Sequence, residues 1–431
     1  MADFAGLAIT RGQNVGFDEG QLEKIGPVMA NAVETGHVPG VVTVVARKGK
    51  IVHTHSVGSL DLQAQDRRLG VDSLFRMYSQ SKPVTAVVTM SLFEDGILFL
   101  DDPISKWLPE FANPRVVAYP PASERVKGQP IEVGGTVAAN REVTIFDLMT
   151  MTSGMPFMGR TPTSFFPAIN ASMGGTGFLP WDLRVNDPDG SYEDMVLALS
   201  QAPLHAQPGE VWNYGSDFDV LSLLLERASG QSLDELFKER VFDPLGMTDS
   251  CFYCGEEKAD RLVTDHAWDL DGSLIVRDPP SNAEKVGRSN RKLMSGNGMF
   301  GGILSTPRDY TRFAQMLLNG GTLDGKRIIG RKTVELMTTN HIGDRCVDIA
   351  VGPRYGFGLG YAVKKDLSGS FLPGTPGTFG WGGAAGTWFF VDPAEELIGL
   401  IFTHVFGYQF SPDADLFVRF EKMVYEALAT E

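Results

Sequence analysis

The chain has 431 residues, 43% of them hydrophobic and 21% charged, with a formal net charge of −15. That is enough chain for two domains or one large two-lobed fold with a sizeable core, and the acidic balance argues against nucleic acid or an anionic membrane as partner, since both want Lys/Arg surfaces. No apolar run reaches the ~18 residues of a membrane span, and the opening MADFAGLAITRGQ lacks the basic and apolar regions of a signal peptide, so a cytoplasmic protein is expected.

Residues 22–35 have the apolar spacing of an amphipathic helix. The stretch VVTVVARKGKIVHTHSVG, 41–58, reads as two strands around a Lys48-Gly49-Lys50 turn. His53 and His55 would share one face of the second strand. With no acidic partner in view, they read as surface residues rather than metal ligands.

The segment RMYSQSKPV, 76–84, places Lys82 three residues after Ser79. On a helix such residues share a face, about 5–6 Å apart at Cβ. Pro83 is tolerated only in an opening turn, so a helix is predicted to begin near Tyr78 or Ser79. That start puts the Ser79 hydroxyl among unpaired N–H groups at the positive end of the dipole. Val84, Val87, Val88, Leu92 and Phe93 suit a helix packed into a core. Ser79 is then either a nucleophile activated by a neighbouring base or a plain helix cap, and the local residues leave both open. A second Ser-x-x-Lys, Ser289 to Lys292, runs into LMSGNGMFGG, too glycine-rich for a helix.

The middle of the chain, about 100–290, mixes helix patterns with prolines and loops. TIFDLMTMTSGM, 144–155, carries a helical stripe ending in Gly154, and DFDVLSLLLERASG, 217–230, is an amphipathic helix stopped by Gly230. The apolar segment 163–181 either lines a substrate site or tucks onto the core. Cys251 and Cys254 form a CxxC that, with Cys346 and a histidine such as His266, could hold zinc. There is no second CxxC and no HExxH, so free buried thiols in a reducing compartment are the plainer reading. No metal or other cofactor is expected. No GxSxG elbow occurs.

The last third returns to strands at 355–365, 377–392 and 397–406, and closes on a helix from Ser411 with Pro412 at its first position. Strands at both ends predict one sheet built from both termini. Residues 1–85 and 291–431 would form an α/β sheet domain and 86–290 a mostly helical one, with the active site between them.

Several landmarks line up in order: YSQSK near residue 80, TSGM at 152–155, PGEVWNYGS at 208–216, FDPLGMTDS at 242–250 and GWGGAAGTWFFVDP at 380–393. Together they resemble the serine β-lactamase and penicillin-binding-protein superfamily over about residues 20–428. Within it, the chain is most similar to the class C-like branch that includes family VIII carboxylesterases and the lovastatin-type acyltransferase. The resemblance implies an α/β (α+β), β-lactamase-like fold: an antiparallel sheet from both chain ends, flanked by helices, with an inserted mostly helical domain. It implies that Ser79 is the acylated serine, Lys82 its paired lysine and Tyr214 the tyrosine of a Tyr-x-Asn motif, here with Ser216 in the asparagine's place. Trp381-Gly382-Gly383 stands where β-lactamases read Lys-Thr-Gly. The backbone N–H groups of Ser79 and Ala384 would form an oxyanion hole. Tyr78, Ser216, Trp381, Gly382 and Gly383 are the expected substrate-binding residues. Trp381 cannot pair with a substrate carboxylate, but it can stack on an apolar acyl or alcohol group; the other reading is that it packs the sheet. The expected activity is that of a serine carboxylesterase on a small-molecule ester. β-Lactamase, D-amino-acid peptidase or amidase, and acyltransferase activities stand as alternatives on the same three residues.

Overall fold

The computed structural model describes residues 3–119, 135–156, 192–269, 271–282, 302–345, 347, 354–368, 372–408 and 415–429. Its framework is a nine-stranded sheet. The N-terminal part supplies β1 (Asp3–Phe4), β2 (Leu7–Ile9), β3 (Gly40–Arg47) and β4 (Lys50–Gly58). Lys48 and Gly49 both take positive φ, +51° and +69°. A two-residue hairpin turn of that handedness matches the twist of its strands. The short strands β5 (Phe75–Arg76), β6 (Asp265–Trp268), β7 (Leu274–Asp278) and β8 (Leu304–Ser305) pair outside the main sheet. The C-terminal part adds β9 (Tyr355–Phe357), β10 (Ala362–Lys364), β11 (Phe379–Gly383), β12 (Thr387–Asp392) and β13 (Leu397–Phe402). The order is β1-β2-β4-β3-β13-β12-β11-β10-β9, so the two chain ends meet at β3 and β13. Every neighbour pair is antiparallel except β2 with β4.

β3 is apolar along its length because both faces are covered. Val41 and Val45 enter one core cluster, and Val42, Val44 and Ala46 the other, as the two-residue strand period requires. Helices α1 (Ile25–Glu34) and α6 (Leu416–Glu426) contribute to the first cluster. Helices α2 (Lys82–Glu94), α4 (Asp217–Ser229) and α5 (Pro307–Leu318) contribute to the second, together with the shorter α3 (Ile145–Thr150). In α2 every residue from Lys82 to Leu92 is buried, the pattern of a helix enclosed on all sides.

Several predicted elements are cut shorter. The stretches 355–365 and 377–392 are not single strands but hairpins, folding back where Gly360 (φ +89°) and Gly386 (φ +83°) turn left-handed. The helix expected to run to Gly154 stops at Met151, which itself takes φ +55°. The predicted helix 22–35 begins at Ile25, behind a separate helical turn at Glu19–Leu22. Ser411 and Pro412, the predicted cap of α6, lie outside the described residues.

β10 and α6 are joined by a buried ion pair, Lys364 Nζ to Glu421 Oε1 at 3.5 Å. Burial pushes the Glu421 carboxyl up to about 7, against the pull of the lysine. Removing one member of such a pair strands the other, at about 3–5 kcal/mol. Lys364→Met is therefore expected to lose that much stability in urea unfolding, and Lys364→Met with Glu421→Leu to recover most of it. A single variant as stable as wild type would show that the pair contributes nothing to the fold.

Candidate active site

The segment after β5 turns sharply before it becomes helix. Tyr78–Ser81 is a tight 3-10 turn that passes directly into α2, with Pro83 in the first turn of the latter. Tyr78 takes φ +44°, a conformation uncommon for a residue with a Cβ. The turn is anchored from behind. Met77 N–H donates to the Ile303 carbonyl at 2.9 Å, Ile303 N–H to Ser81 Oγ at 2.9 Å, and Tyr310 Oη to the Gln80 carbonyl at 2.8 Å. Gln80 and Ser81 are buried, and Ser79 alone of the three is partly exposed.

The Ser79 and Tyr214 hydroxyls share a hydrogen bond of 2.5 Å. Lys82, 1% exposed, places its Nζ 5.0 Å from the Tyr214 ring centroid and 5.8 Å from that of Phe218. The direct Ser79–Lys82 pairing suggested by i,i+3 spacing is thus not the contact that forms. The 3-10 opening turn gives Ser79 to Tyr214, and the lysine lies against the tyrosine's ring face.

Tyr214 is held by the segment that follows α3. Asn213 N–H donates to the Met151 carbonyl at 2.9 Å and Asn213 Nδ2 to that of Met155 at 2.9 Å. Ser216 Oγ donates to the Pro156 carbonyl at 3.0 Å, so this hydroxyl serves the backbone. Trp381, 2% exposed, stacks on the Tyr214 ring at 6.0 Å between centroids and 25° between planes. Phe357 meets Trp381 edge-on at 5.3 Å. The indole therefore packs against Tyr214 and the sheet. Gly383 ends β11 hard against the turn: a Cβ there would lie 2.2 Å from the Met77 carbonyl oxygen. Only glycine permits that approach, which lays Ala384 alongside the turn that carries Ser79. Tyr78, expected at the substrate, directs its phenol inward to Asp265.

One residue of this region escaped the sequence reading. Asp217 opens α4, and its Oδ1 accepts a 2.5 Å hydrogen bond from Ser153, whose Oγ in turn accepts from Met155 N–H at 2.9 Å. Burial pushes the Asp217 carboxyl up to about 8; the Ser153 hydrogen bond and the Lys82 charge oppose this, while Asp147 adds to it. The signal was available as an acid directly after Tyr-x-Ser, but nothing local says it is buried.

The remaining candidates lie elsewhere. Ser289 to Lys292, the segment 163–181 and Cys346 fall outside the described residues. Cys251 and Cys254 are free thiols, and burial pushes Cys251 up to about 12. The His266 and His404 rings meet each other, Nδ1 to Nδ1 at 3.2 Å. No group of three His, Cys, Asp or Glu among the described residues could hold a metal ion. His53, read as a surface residue, is half-buried: it hydrogen-bonds Thr43 Oγ1 at 2.9 Å, and burial, with His55 beside it, pushes its imidazole down to about 4. No helix among the described residues is long and apolar enough to cross a membrane.

Comparison with known proteins shows the family. The sequence model of the Beta-lactamase family matches residues 26–421. Protein Rv1367c of Mycobacterium tuberculosis is 33% identical, over 85% of this chain and 85% of that protein. Esterase EstB of Burkholderia gladioli is 28% identical, over 88% of this chain and 90% of its own length. Among solved structures, EstCE1, described as a hydrolase with promiscuous acyltransferase activity, superposes with a TM-score of 0.73 at 24% identity, covering 94% of this chain and 99% of that one. The chain belongs to the Beta-lactamase family and has its fold.

The raised Asp217 carboxyl has a consequence for stability. A folded pKa of about 8, against 3.8 for the free side chain, means the native state holds a proton that the unfolded state releases in between. The contribution is fully present below the unfolded value and is lost as pH rises through the folded one. Asp217→Asn is therefore expected to gain on wild type in thermal melts as pH rises from about 5 to 8. Parallel melting curves across that window would show that Asp217 ionises normally.

Proposed function

We propose that this member of the Beta-lactamase family cleaves carboxylic esters of small molecules through an acyl-enzyme on Ser79, with Lys82 and Tyr214 moving and stabilising the proton. The observation that carries the reading is the 2.5 Å hydrogen bond between the Ser79 and Tyr214 hydroxyls beside the buried Lys82. A serine hydroxyl becomes an effective nucleophile when a positioned neighbour takes its proton. Here Tyr214, as the phenolate, takes it as Ser79 Oγ attacks the acyl carbon. The Lys82 ammonium stabilises the phenolate before the transfer, and the negative charge then moves through Ser79 Oγ to the carbonyl oxygen. The carbonyl oxygen, now an oxyanion, accepts hydrogen bonds from the N–H groups of Ser79 and Ala384. As the tetrahedral adduct collapses, Tyr214 returns the proton to the leaving alcohol oxygen. Water, giving a proton to the phenolate so regenerated, then attacks the acyl-enzyme; the adduct collapses, the proton returns to Ser79 Oγ and the acid is freed.

The choice of ester rests on what stands at the strand beside the site. Trp381-Gly382-Gly383 puts an indole where the β-lactamase strand motif has a lysine, so that position offers a substrate carboxylate no cation. This supports neutral esters over penicillins and peptidoglycan stems. The similarity to Esterase EstB supports the same class.

Ser79→Ala is expected to lower p-nitrophenyl ester turnover by about three orders of magnitude or more and to abolish the mass shift that a p-nitrophenyl phosphonate leaves on the intact protein. Activity or labelling that survives in this variant would remove Ser79 from the mechanism. Faster turnover of nitrocefin than of any ester would instead make the protein a β-lactamase, and ester product formed with a competing alcohol would make it an acyltransferase. Trp381 tests the specificity argument. Its near-complete burial against Tyr214 leads us to expect that Trp381→Ala slows acetate and bulky esters alike. A loss of about 1–3 kcal/mol confined to bulky esters, the range for lost apolar contact in a pocket, would make the indole a pocket wall.

A further inference from the structure

Behind the partly exposed Ser79 lies a buried set of charges that the proposed proton transfer does not use. Tyr78 Oη donates to Asp265 Oδ2 at 2.8 Å, and Arg277 Nη1 reaches both that carboxylate oxygen, at 2.6 Å, and Tyr78 Oη, at 3.0 Å. Asp265 is 1% exposed. The Arg277 guanidinium lies 4.0 Å over the Phe406 ring, and the Tyr78 ring meets Phe406 edge-on at 5.6 Å. A second pair, Arg76 with Asp278 at 3.0 Å, joins β5 to β7 beside it. These groups converge on the residue whose φ of +44° sets the direction in which Ser79 leaves the chain. A left-handed non-glycine residue persists where its surroundings over-determine it, and the phenol clamp does this from outside the turn.

The same strand reaches the other side of the site. His266, next to Asp265, donates its N–H to the His404 carbonyl at 3.0 Å and accepts from Phe406 N–H at 2.7 Å. Gly407 N–H then donates to the Ala384 carbonyl at 2.7 Å, and Val405 N–H to that of Ala385 at 2.9 Å. The glycine contact of β11 with Met77 closes the circuit. Asp265 is thus linked to Ser79 through Tyr78 and to Ala384 through the segment 404–407.

We propose that Asp265, Arg277 and Tyr78 are positioning residues that set the separation and direction of the Ser79 and Ala384 N–H groups. This rests on the reading of those groups as the oxyanion site. None of the three touches the reacting atoms. Their effect should fall on the tetrahedral state, since oxyanion donors act on charge that develops there and little on the bound ester.

The test is Tyr78→Phe, which keeps the ring on Phe406 and deletes the clamp. Expected is a fall in kcat of about 10- to 100-fold, the scale of a misdirected oxyanion donor, with KM within about twofold. An arylboronic acid, which mimics the tetrahedral state, should lose affinity by a similar factor. Asp265→Asn with Arg277→Met, which removes both charges together, serves if Tyr78→Phe does not fold, and the same pattern is expected of it. Unchanged kcat and boronate affinity in a folded variant would overturn the proposal, as would equal losses in kcat and substrate affinity. Peptide mapping of the phosphonate adduct on wild type separates the two readings. An adduct on Ser79 with an indifferent Tyr78→Phe sinks the clamp alone, whereas an adduct elsewhere sinks the assignment of Ser79 and the clamp with it.

Discussion

The constraint on which the candidate site depends is steric. β11 must run so near the turn of Met77 and Tyr78 that a methyl group at residue 383 would lie 2.2 Å from a backbone oxygen. Backbone cannot yield as a flexible side chain can, so position 383 carries glycine. Much of the site follows from that approach. It brings a sheet strand from the C-terminal part of the chain against the first turn of a helix from the N-terminal part. It places Trp381, two residues earlier on the same face of β11, where it can stack on Tyr214. A second close approach supports the turn from another side. A Cβ at Gly302 would meet Ser81 Oγ at 2.1 Å and the Tyr78 carbonyl at 2.8 Å. The turn is gripped by two glycine contacts and by hydrogen bonds to Ile303 and Tyr310, and only Ser79 is left facing outward.

How much of this could be read from the chain differs by range. The hairpin at Lys48-Gly49 was legible because its turn residues and apolar runs are adjacent. The α4 helix was legible because its stripe and its stop at Gly230 lie within one short window. The Ser-x-x-Lys and Tyr-x-Ser motifs were legible as motifs. Their mutual geometry was not: spacing put Ser79 against Lys82, while the structure puts it against Tyr214, 135 residues on. The stretches 355–365 and 377–392 were misjudged because glycines in apolar runs look like strand interruptions and are in fact reversals. Met151 gave no warning of its left-handed cap, which a methionine adopts only under tertiary constraint. Asp265 and Arg277 look in sequence like ordinary charges on a polar hairpin, and only the fold shows that Tyr78 lies beneath them.

Buried and half-buried ion pairs recur where elements distant in sequence meet. Lys364 with Glu421 joins the sheet to the last helix, Arg277 with Asp265 joins a side hairpin to the Ser79 turn, and Arg76 with Asp278 reinforces that join. Apolar surface alone would allow these elements to slide by a residue or a turn. A buried ion is costly unless its partner is in place, so each pair penalises the wrong register more than it rewards the right one. That matters most near Ser79, where small displacements separate groups that must act together.

The surroundings of Lys82 show the same logic turned to chemistry. Asp217 is an acid on which the Lys82 charge acts. An ionised carboxylate there would attract the ammonium and cancel much of its field. Burial instead pushes that carboxyl up to about 8, which favours the neutral acid, and its Oδ1 accepts a hydrogen bond from Ser153. Two ring faces also lie by Lys82 Nζ, Tyr214 at 5.0 Å and Phe218 at 5.8 Å, and they attract a cation without neutralising it. Under the proposed mechanism the ammonium's charge then holds Tyr214 as the phenolate that takes the Ser79 proton. A desolvated carboxyl keeps an acid beside Lys82 without pairing the two, and it needs no group beyond those already packed between α2, α4 and the Ser153 loop.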